Sequence, residues 1–192
     1  MGYIYFVMGK SSSGKDTIYK KLMSDKELGF ETLVGYTTRP MRQGEENGKE
    51  YFFVSEEEMK NMDVDGKVIE SRCYHTIYGD WFYFTADDGQ VGLDDKDYLL
   101  IGTLESYAKV RAYYGEEIVK PIYIEVEDGE RLIRAINREK QQDTPKYEEM
   151  CRRFLADCKD FSEEKILECG IKKRYINNDI EKCILEIKKD IL

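Results

Sequence analysis

The chain has 192 residues, 41% of them hydrophobic, which is enough to bury one sizeable core and favours a single domain with mobile sub-lobes. Its formal net charge of -9 argues against a broad electrostatic grip on nucleic acid or an anionic membrane, since both need clustered excess Lys and Arg. Five cysteines (Cys73, Cys151, Cys158, Cys169, Cys183) form no CxxC pair and with the single His75 give no convincing zinc set, so they read as reduced thiols of a cytosol.

The opening MGYIYFVMGK lacks a basic n-region and a cleavage site, and its apolar run is too short to span a bilayer. Phe6 also stands where a myristoylation signal needs Ser or Thr, so a cytoplasmic protein is expected. YIYFVM reads as a buried strand. It runs directly into GKSSSGKDT, Gly9 to Thr17, which fits G-x-x-x-x-G-K-[ST] except that Asp16 intervenes between Lys15 and Thr17. Gly9, Ser11, Ser12, Ser13 and Gly14 are small enough to let successive backbone N–H groups turn inward, and with the positive end of the following helix they would cradle the phosphates of a nucleotide. Lys15 would reach the β and γ oxygens, and a hydroxyl in the first helical turn would ligate Mg²⁺. Asp16 occupies the usual hydroxyl position, so Thr17 is the next candidate ligand. The competing reading is a flexible glycine turn between a strand and a helix.

DTIYKKLMSDKE follows as a helix with Ile18 and Leu22 at i and i+4. From about Thr32 to Phe84 the pattern changes. ETLVGYTTR, EYFFVS and VIESRCYHTIYGDWFYFT are rich in β-branched and aromatic residues, with SEEEMKNM as an interruption, so a small inserted sheet is expected. Within it, GYTTRPMRQGEENGKEYFF sets Arg39 and Arg42 around a proline-containing turn, with Tyr51 on the next strand-like run. Two guanidinium forks and a phenol can hold one phosphate and leave its remaining oxygen free to attack. A solvated basic turn paired with Glu45 and Glu46 would carry the same residues. TADDGQVGLDDKDY has two glycines and little apolar periodicity and reads as an acidic loop. YLLIGT and KPIYIEV are compact runs suited to buried parallel strands, LESYAKVRAYYG is a helix ending at a glycine, and DIEKCILEIKKDIL repeats apolar residues at helical spacing. The alternation of strands and helices predicts an α/β fold with a mostly parallel sheet.

From the phosphate loop to the last helix the chain resembles the guanylate kinase family, most specifically in YTTRPMRQGEENGKEYFFVSEEEM. The resemblance implies a three-layer P-loop NTPase fold: a core of residues 1–31, 85–126 and 157–192, an acceptor-binding β lobe at 32–84 and a helical lid at 127–156. It implies that Arg39, Arg42, Tyr51 and Tyr78 bind the phosphate of GMP, and that Glu70 in VIES reads the guanine edge through its N1 and N2 hydrogens. In RLIRAINREKQQDTPKYEEMCRRF, Arg134, Arg138 and Arg153 would converge on the transferring phosphoryl group, with Arg152 the neighbouring choice for the last. Asn177 in YINND would contact the adenine of ATP. The chain departs from the family pattern at Gly35 and Asp80, where the family has serines, and at Ile101 and Thr103, where it has an acidic strand end. Asp80 and Thr103 hold places of further acceptor contacts, and guanine reading leans on Glu70.

The expected activity is direct phosphoryl transfer from ATP, with Mg²⁺, to a nucleoside monophosphate, GMP or dGMP before others. Partners would be small-molecule nucleotides, with no nucleic acid and no membrane; the sequence leaves the oligomeric state open. A related kinase family that phosphorylates ribose bisphosphate also has a GKD loop and lacks the acidic strand end, but matches the acceptor segment poorly. A non-catalytic interaction module of the same fold would have no need of Lys15 and the lid arginines.

Overall fold

The computed structural model describes residues 2–76, 79–94 and 96–192. The chain opens with β1 (Ile4–Met8) and α1 (Lys15–Met23), then β2 (Glu31–Thr32), β3 (Tyr36–Thr37), β4 (Phe52–Phe53) and α2 (Glu56–Val64). The antiparallel pair β5 (Val68–Thr76) and β6 (Gly79–Ala86) leads to β7 (Tyr98–Gly102), α3 (Leu104–Tyr114) and β8 (Val119–Glu125). The rest is α4 (Asp128–Lys140), α5 (Tyr147–Asp160), α6 (Glu163–Glu168), β9 (Tyr175–Ile176) and α7 (Ile180–Ile191).

Five parallel strands in the order β2-β7-β1-β8-β9 form the main sheet. All of β1 is buried, and its side chains alternate between two cores as a strand requires. Ile4, Phe6 and Met8 pack with Tyr107 and Val110 of α3 and with Phe161 and Ile166. Tyr5 and Val7 pack with Ile18 and Leu22 of α1 and with Cys183, Ile184 and Ile187 of α7. Two helical layers thus sandwich the sheet. Ile18 and Leu22 are both fully buried, one helical turn apart, and each contributes about 1.5–3 kcal/mol by its burial, which fixes the helix directly behind the phosphate loop. Among the described residues, no helix is long and apolar enough to cross a membrane.

The second sheet has the order β4-β3-β6-β5 and packs Tyr36, Phe84 and Ala86 against Met59 and Met62 of α2. That helix is the SEEEMKNM interruption: Ser55 and Glu58 form a capping box that satisfies orphan donors at its start. Two details differ from the sequence reading. Thr32, expected to open the inserted lobe, pairs instead with β7 in the main sheet, alongside Glu31. Both residues are exposed, so neither carries a burial pattern that could have assigned them. The inserted sheet also runs on to Ala86, where the register pairs it with Val68. The acidic stretch after it forms no helix among its described residues, and Gln90 ties it back by bonding both the N–H and the C=O of Val34.

Candidate active site

Where β1 gives way to α1, the loop takes a conformation that small residues permit. Ser12 has φ +64°, the only positive value at a described non-glycine, and Gly14 has φ +84°. A Cβ at Gly9 would stand 2.5 Å from the Ile124 carbonyl oxygen, and one at Gly14 would stand 2.4 Å from the Asn177 amide nitrogen. Gly14 is the N-cap of α1 and offers no side-chain cap, so the Lys15 and Asp16 N–H groups stay available to an anion, while Thr17 N–H donates to the Gly14 carbonyl. The Ser12 and Ser13 hydroxyls are buried without a hydrogen-bond partner, an arrangement that costs free energy unless a ligand completes it. The loop therefore fits a polyphosphate. Lys15 Nζ rests 3.1 Å from Asp16 Oδ2, and Asp16 and Thr17 are exposed at the start of the helix.

Residues from the end of the chain hold this loop in place. Asn177 is buried; its backbone N–H donates to the Glu125 carbonyl and its side chain donates to the Ser13 carbonyl at 2.8 Å. It was expected beside adenine and stands beneath the loop. On the other side Arg131, 1% exposed, donates from Nη1 to the Ser11 carbonyl at 3.0 Å and from Nε and Nη2 to Asp128. Ser11 N–H donates to Asp157 at 2.7 Å, and the Arg131 guanidinium lies 4.7 Å from the centre of the Phe154 ring. Burial acts to raise the Asp128 pKa, but hydrogen bonds and charge from Arg131 and Lys10 bring it below the ordinary value.

The three expected lid arginines separate. Arg138 and Arg153 line one cavity of about 170 Å³ with Ser11, Ser12 and Arg131. Arg134 turns away, donating to Glu130 and to the Asn177 carbonyl. Arg152 is held bidentately by Glu149, so of the two neighbours it is Arg153 that faces the loop.

In the second sheet, Arg39 is buried and grips Glu45 with both Nη atoms, at 2.7 and 2.6 Å, while its Nε has no partner. Its guanidinium lies 5.4 Å from the Tyr51 ring centre and 5.2 Å from that of Phe53. The Arg39 hydrogen bonds hold the Glu45 carboxyl down at about 2, and burial raises the Tyr51 phenol above its ordinary value. Of the two pairings expected for a basic turn, Glu45 takes Arg39 in a buried bond, whereas exposed Glu46 pairs with Lys49. Arg42 is exposed and donates its backbone N–H to Glu45.

Glu70 has no exposed side-chain area; Thr85 donates to its Oε1 at 2.9 Å, and Arg72 approaches both oxygens at 3.2 and 3.4 Å. Tyr78 lies outside the described residues. Two other expected acceptor residues are engaged elsewhere. Asp80 pairs with His75, and strand alternation sets that pair on the face of β5 opposite Glu70. Thr103 caps α3, accepting from Ser106 N–H while the Ser106 hydroxyl accepts from Thr103 N–H. Gly35 and Ile101 stand at the other departures: a Cβ at Gly35 would make only ordinary contacts, and Ile101 packs against the α1 side of the core.

Comparison with known families decides the identity of this assembly. The family model described as guanylate kinase matches residues 2–190. The chain belongs to the guanylate kinase family. It is 31% identical over 194 residues to a guanylate kinase from Caldanaerobacter subterraneus subsp. tengcongensis, covering all of this chain and 87% of that protein. It is 24% identical to one from Porphyromonas gingivalis, covering all of this chain and 97% of the other. The crystal structure of guanylate kinase from Anaplasma phagocytophilum shares the fold, with a TM-score of 0.65 at 22% identity over 99% of this chain and 84% of that one.

The fold of this kinase family member also exposes residues that the sequence reading passed over. Arg131, Asp128 and Asp157 clamp the loop, and Arg72 shares the Glu70 carboxylate. The i, i+3 spacing of Asp128 and Arg131 was visible, but three arginines on one helix cannot be ranked before the position of α5 is known.

Proposed function

We propose that the protein transfers the γ-phosphoryl group of ATP to the phosphate of GMP or dGMP. An acceptor phosphate oxygen attacks the γ-phosphorus in line, the bond from that phosphorus to the β-phosphate oxygen breaks, and ADP leaves. Lys15, Arg138 and Arg153 neutralise the charge that spreads over the transferring group, and the loop amides with the Ser12 and Ser13 hydroxyls hold the triphosphate. Arg134 and Arg131 act by positioning, the first through the Asn177 carbonyl and the second through Ser11 and Asp128. Thr17, with the Asp16 carboxylate beside it, supplies oxygen donors of the kind a hard cation takes; Mg²⁺ held there would screen the phosphate charges. Arg39 Nε, Arg42 and Tyr51, with Tyr78 by resemblance, form the acceptor phosphate site. Closure of the lid over Ser11 and Ser12 excludes water that would otherwise hydrolyse ATP.

The observation that carries guanine as the acceptor base is Glu70, a fully buried carboxylate in the lobe that also holds Arg39 and Tyr51. An ionised carboxylate has about four lone-pair sites; Thr85 takes one and the long Arg72 contacts take two, so guanine N1 and N2 both find an acceptor once Arg72 yields one of its contacts. Adenine offers no matching pair of donors. A second reading has one observation in its favour: Arg72 partly neutralises Glu70 and adds a cation to the cleft, which would suit a more highly phosphorylated sugar acceptor. ADP formation measured with GMP, dGMP, AMP, UMP and ribose bisphosphate separates the two. With GMP preferred, Glu70→Gln is expected to remove about 2 to 4 kcal/mol of discrimination between GMP and AMP in kcat/KM, because it turns an acceptor into a donor facing a donor. An unchanged ratio, or ribose bisphosphate as the best acceptor, defeats the guanine reading.

A further inference from the structure

The pair β5 and β6 carries a second group of reactive side chains, on the face away from Glu70. Along β5, Glu70, Arg72 and Tyr74 alternate with Cys73 and His75, and the register sets Asp80 of β6 directly opposite His75. A carboxylate from one strand thus joins a thiol and an imidazole from the other. His75 Nδ1 lies 2.7 Å from Asp80 Oδ1, and one ligand atom from each of Cys73, His75 and Asp80 lies within 4.8 Å of the other two. All three residues are exposed and Cys73 is a free thiol, so a cation from solution can reach them. Cysteine spacing gave no hint of this, because the third ligand arrives across the ladder and not along the chain.

We propose that Cys73, His75 and Asp80 form a binding site for a borderline-soft divalent cation of the zinc class. Sulfur and imidazole nitrogen select such ions over Mg²⁺, which prefers an all-oxygen octahedron. Three protein ligands leave the fourth tetrahedral position to solvent. The ligand atoms need to close from within 4.8 Å to about 3.5 Å, the edge of a tetrahedron built on metal–ligand bonds of about 2.0–2.3 Å. Side-chain rotations at the surface provide that movement, while the ladder already holds both strands in register. Binding releases the thiol proton of Cys73 to solvent, because the thiolate is the ligand. The ion would then staple β5 to β6.

The test uses the full reduced chain without nucleotide, so that no phosphate competes for metal. Titrated Co²⁺ is expected to give a thiolate-to-metal charge-transfer band with tetrahedral ligand-field bands, saturating at one ion per chain and displaced by Zn²⁺. Cys73→Ser should abolish the charge-transfer band. His75→Ala should weaken affinity by about 10-fold or more, since loss of even an outer-shell partner of a metal ligand costs about 10–100-fold. Cys151→Ser, which removes an exposed thiol outside the cluster, should leave the spectrum intact. In thermal melting, Zn²⁺ should raise the midpoint of the parent chain, which shows binding to the folded state, and at the same concentration should raise that of His75→Ala by less. A band that survives Cys73→Ser, a band lost in Cys151→Ser, no thiolate band at all, or a Zn²⁺-induced rise as large in His75→Ala as in the parent overturns the assignment.

Discussion

The Asn177 side-chain amide donates to the Ser13 carbonyl at 2.8 Å, so the residue that follows β9 supports the phosphate loop from beneath. The same amide nitrogen occupies the space that any side chain at Gly14 would need. The left-handed turn at Gly14 and the amide under it are therefore one structural unit, built from residues far apart in the chain.

Asn177→Ala would leave the Ser13 carbonyl buried without a partner. A stability loss of about 1–3 kcal/mol is expected in chemical denaturation, with a fall in turnover because the loop loses its fixed shape. The ratio of kcat/KM for ATP to that for GTP should stay near its parent value, since the amide is spent on the backbone. A collapse of that ratio would show instead that Asn177 reads adenine directly.

Lys15 Nζ sits 3.1 Å from Asp16 Oδ2, a neighbour from which an incoming phosphate can draw it. Its charge counts most as negative charge spreads in the transition state. Lys15→Met is expected to lower kcat by about 100-fold or more with little change in melting temperature. Near-parental turnover in the folded variant would sink the assignment of the loop as the triphosphate site.

Thr17 and Asp16 compete for the role of metal ligand. If the Thr17 hydroxyl serves, Thr17→Val should raise the Mg²⁺ concentration needed for half-maximal rate, and Asp16→Asn should have the smaller effect. The reverse order, measured at saturating ATP, would assign the ion to the carboxylate.

How much of this was legible in the chain varied with distance. β1, β7 and β8 could be read because a strand buried on both faces is a continuous apolar run, and the phosphate loop because its spacing and its strand-to-helix setting agree. Thr32 could not be placed in the main sheet from the sequence, because two exposed residues in a strand carry no pattern of burial. Arg134 and Arg138 look alike in the sequence; only the packing of α4 against the loop turns one toward Asn177 and the other toward the cavity. Arg72 lies two residues beyond Glu70 on the same strand face, a spacing that strand alternation makes visible, and its pairing with that carboxylate was passed over. Local chemistry was visible, and what depended on the meeting of two remote elements was not.

The Arg39–Glu45 pair gives a prediction about acid stability. The Glu45 carboxyl is held at about 2 against an ordinary value of 4.5, first by the hydrogen bonds from Arg39 and then by the Arg42 backbone N–H. A carboxyl whose pKa is lower in the folded chain contributes stability above its unfolded value and loses it as pH falls toward the folded one. The contribution of Glu45 should therefore be complete above about pH 5 and decline progressively to about pH 2. Glu45→Gln removes the titrating group and leaves Arg39 buried without its counter-charge. The variant should be less stable than the parent at neutral pH, and the gap between the two should narrow as acid is added. Urea midpoints for both chains across that range provide the measurement, and the difference between them cancels the other carboxylates that titrate in parallel. A gap that stays constant from neutral pH down to about pH 2 would mean that Glu45 does not bind Arg39 as its carboxylate.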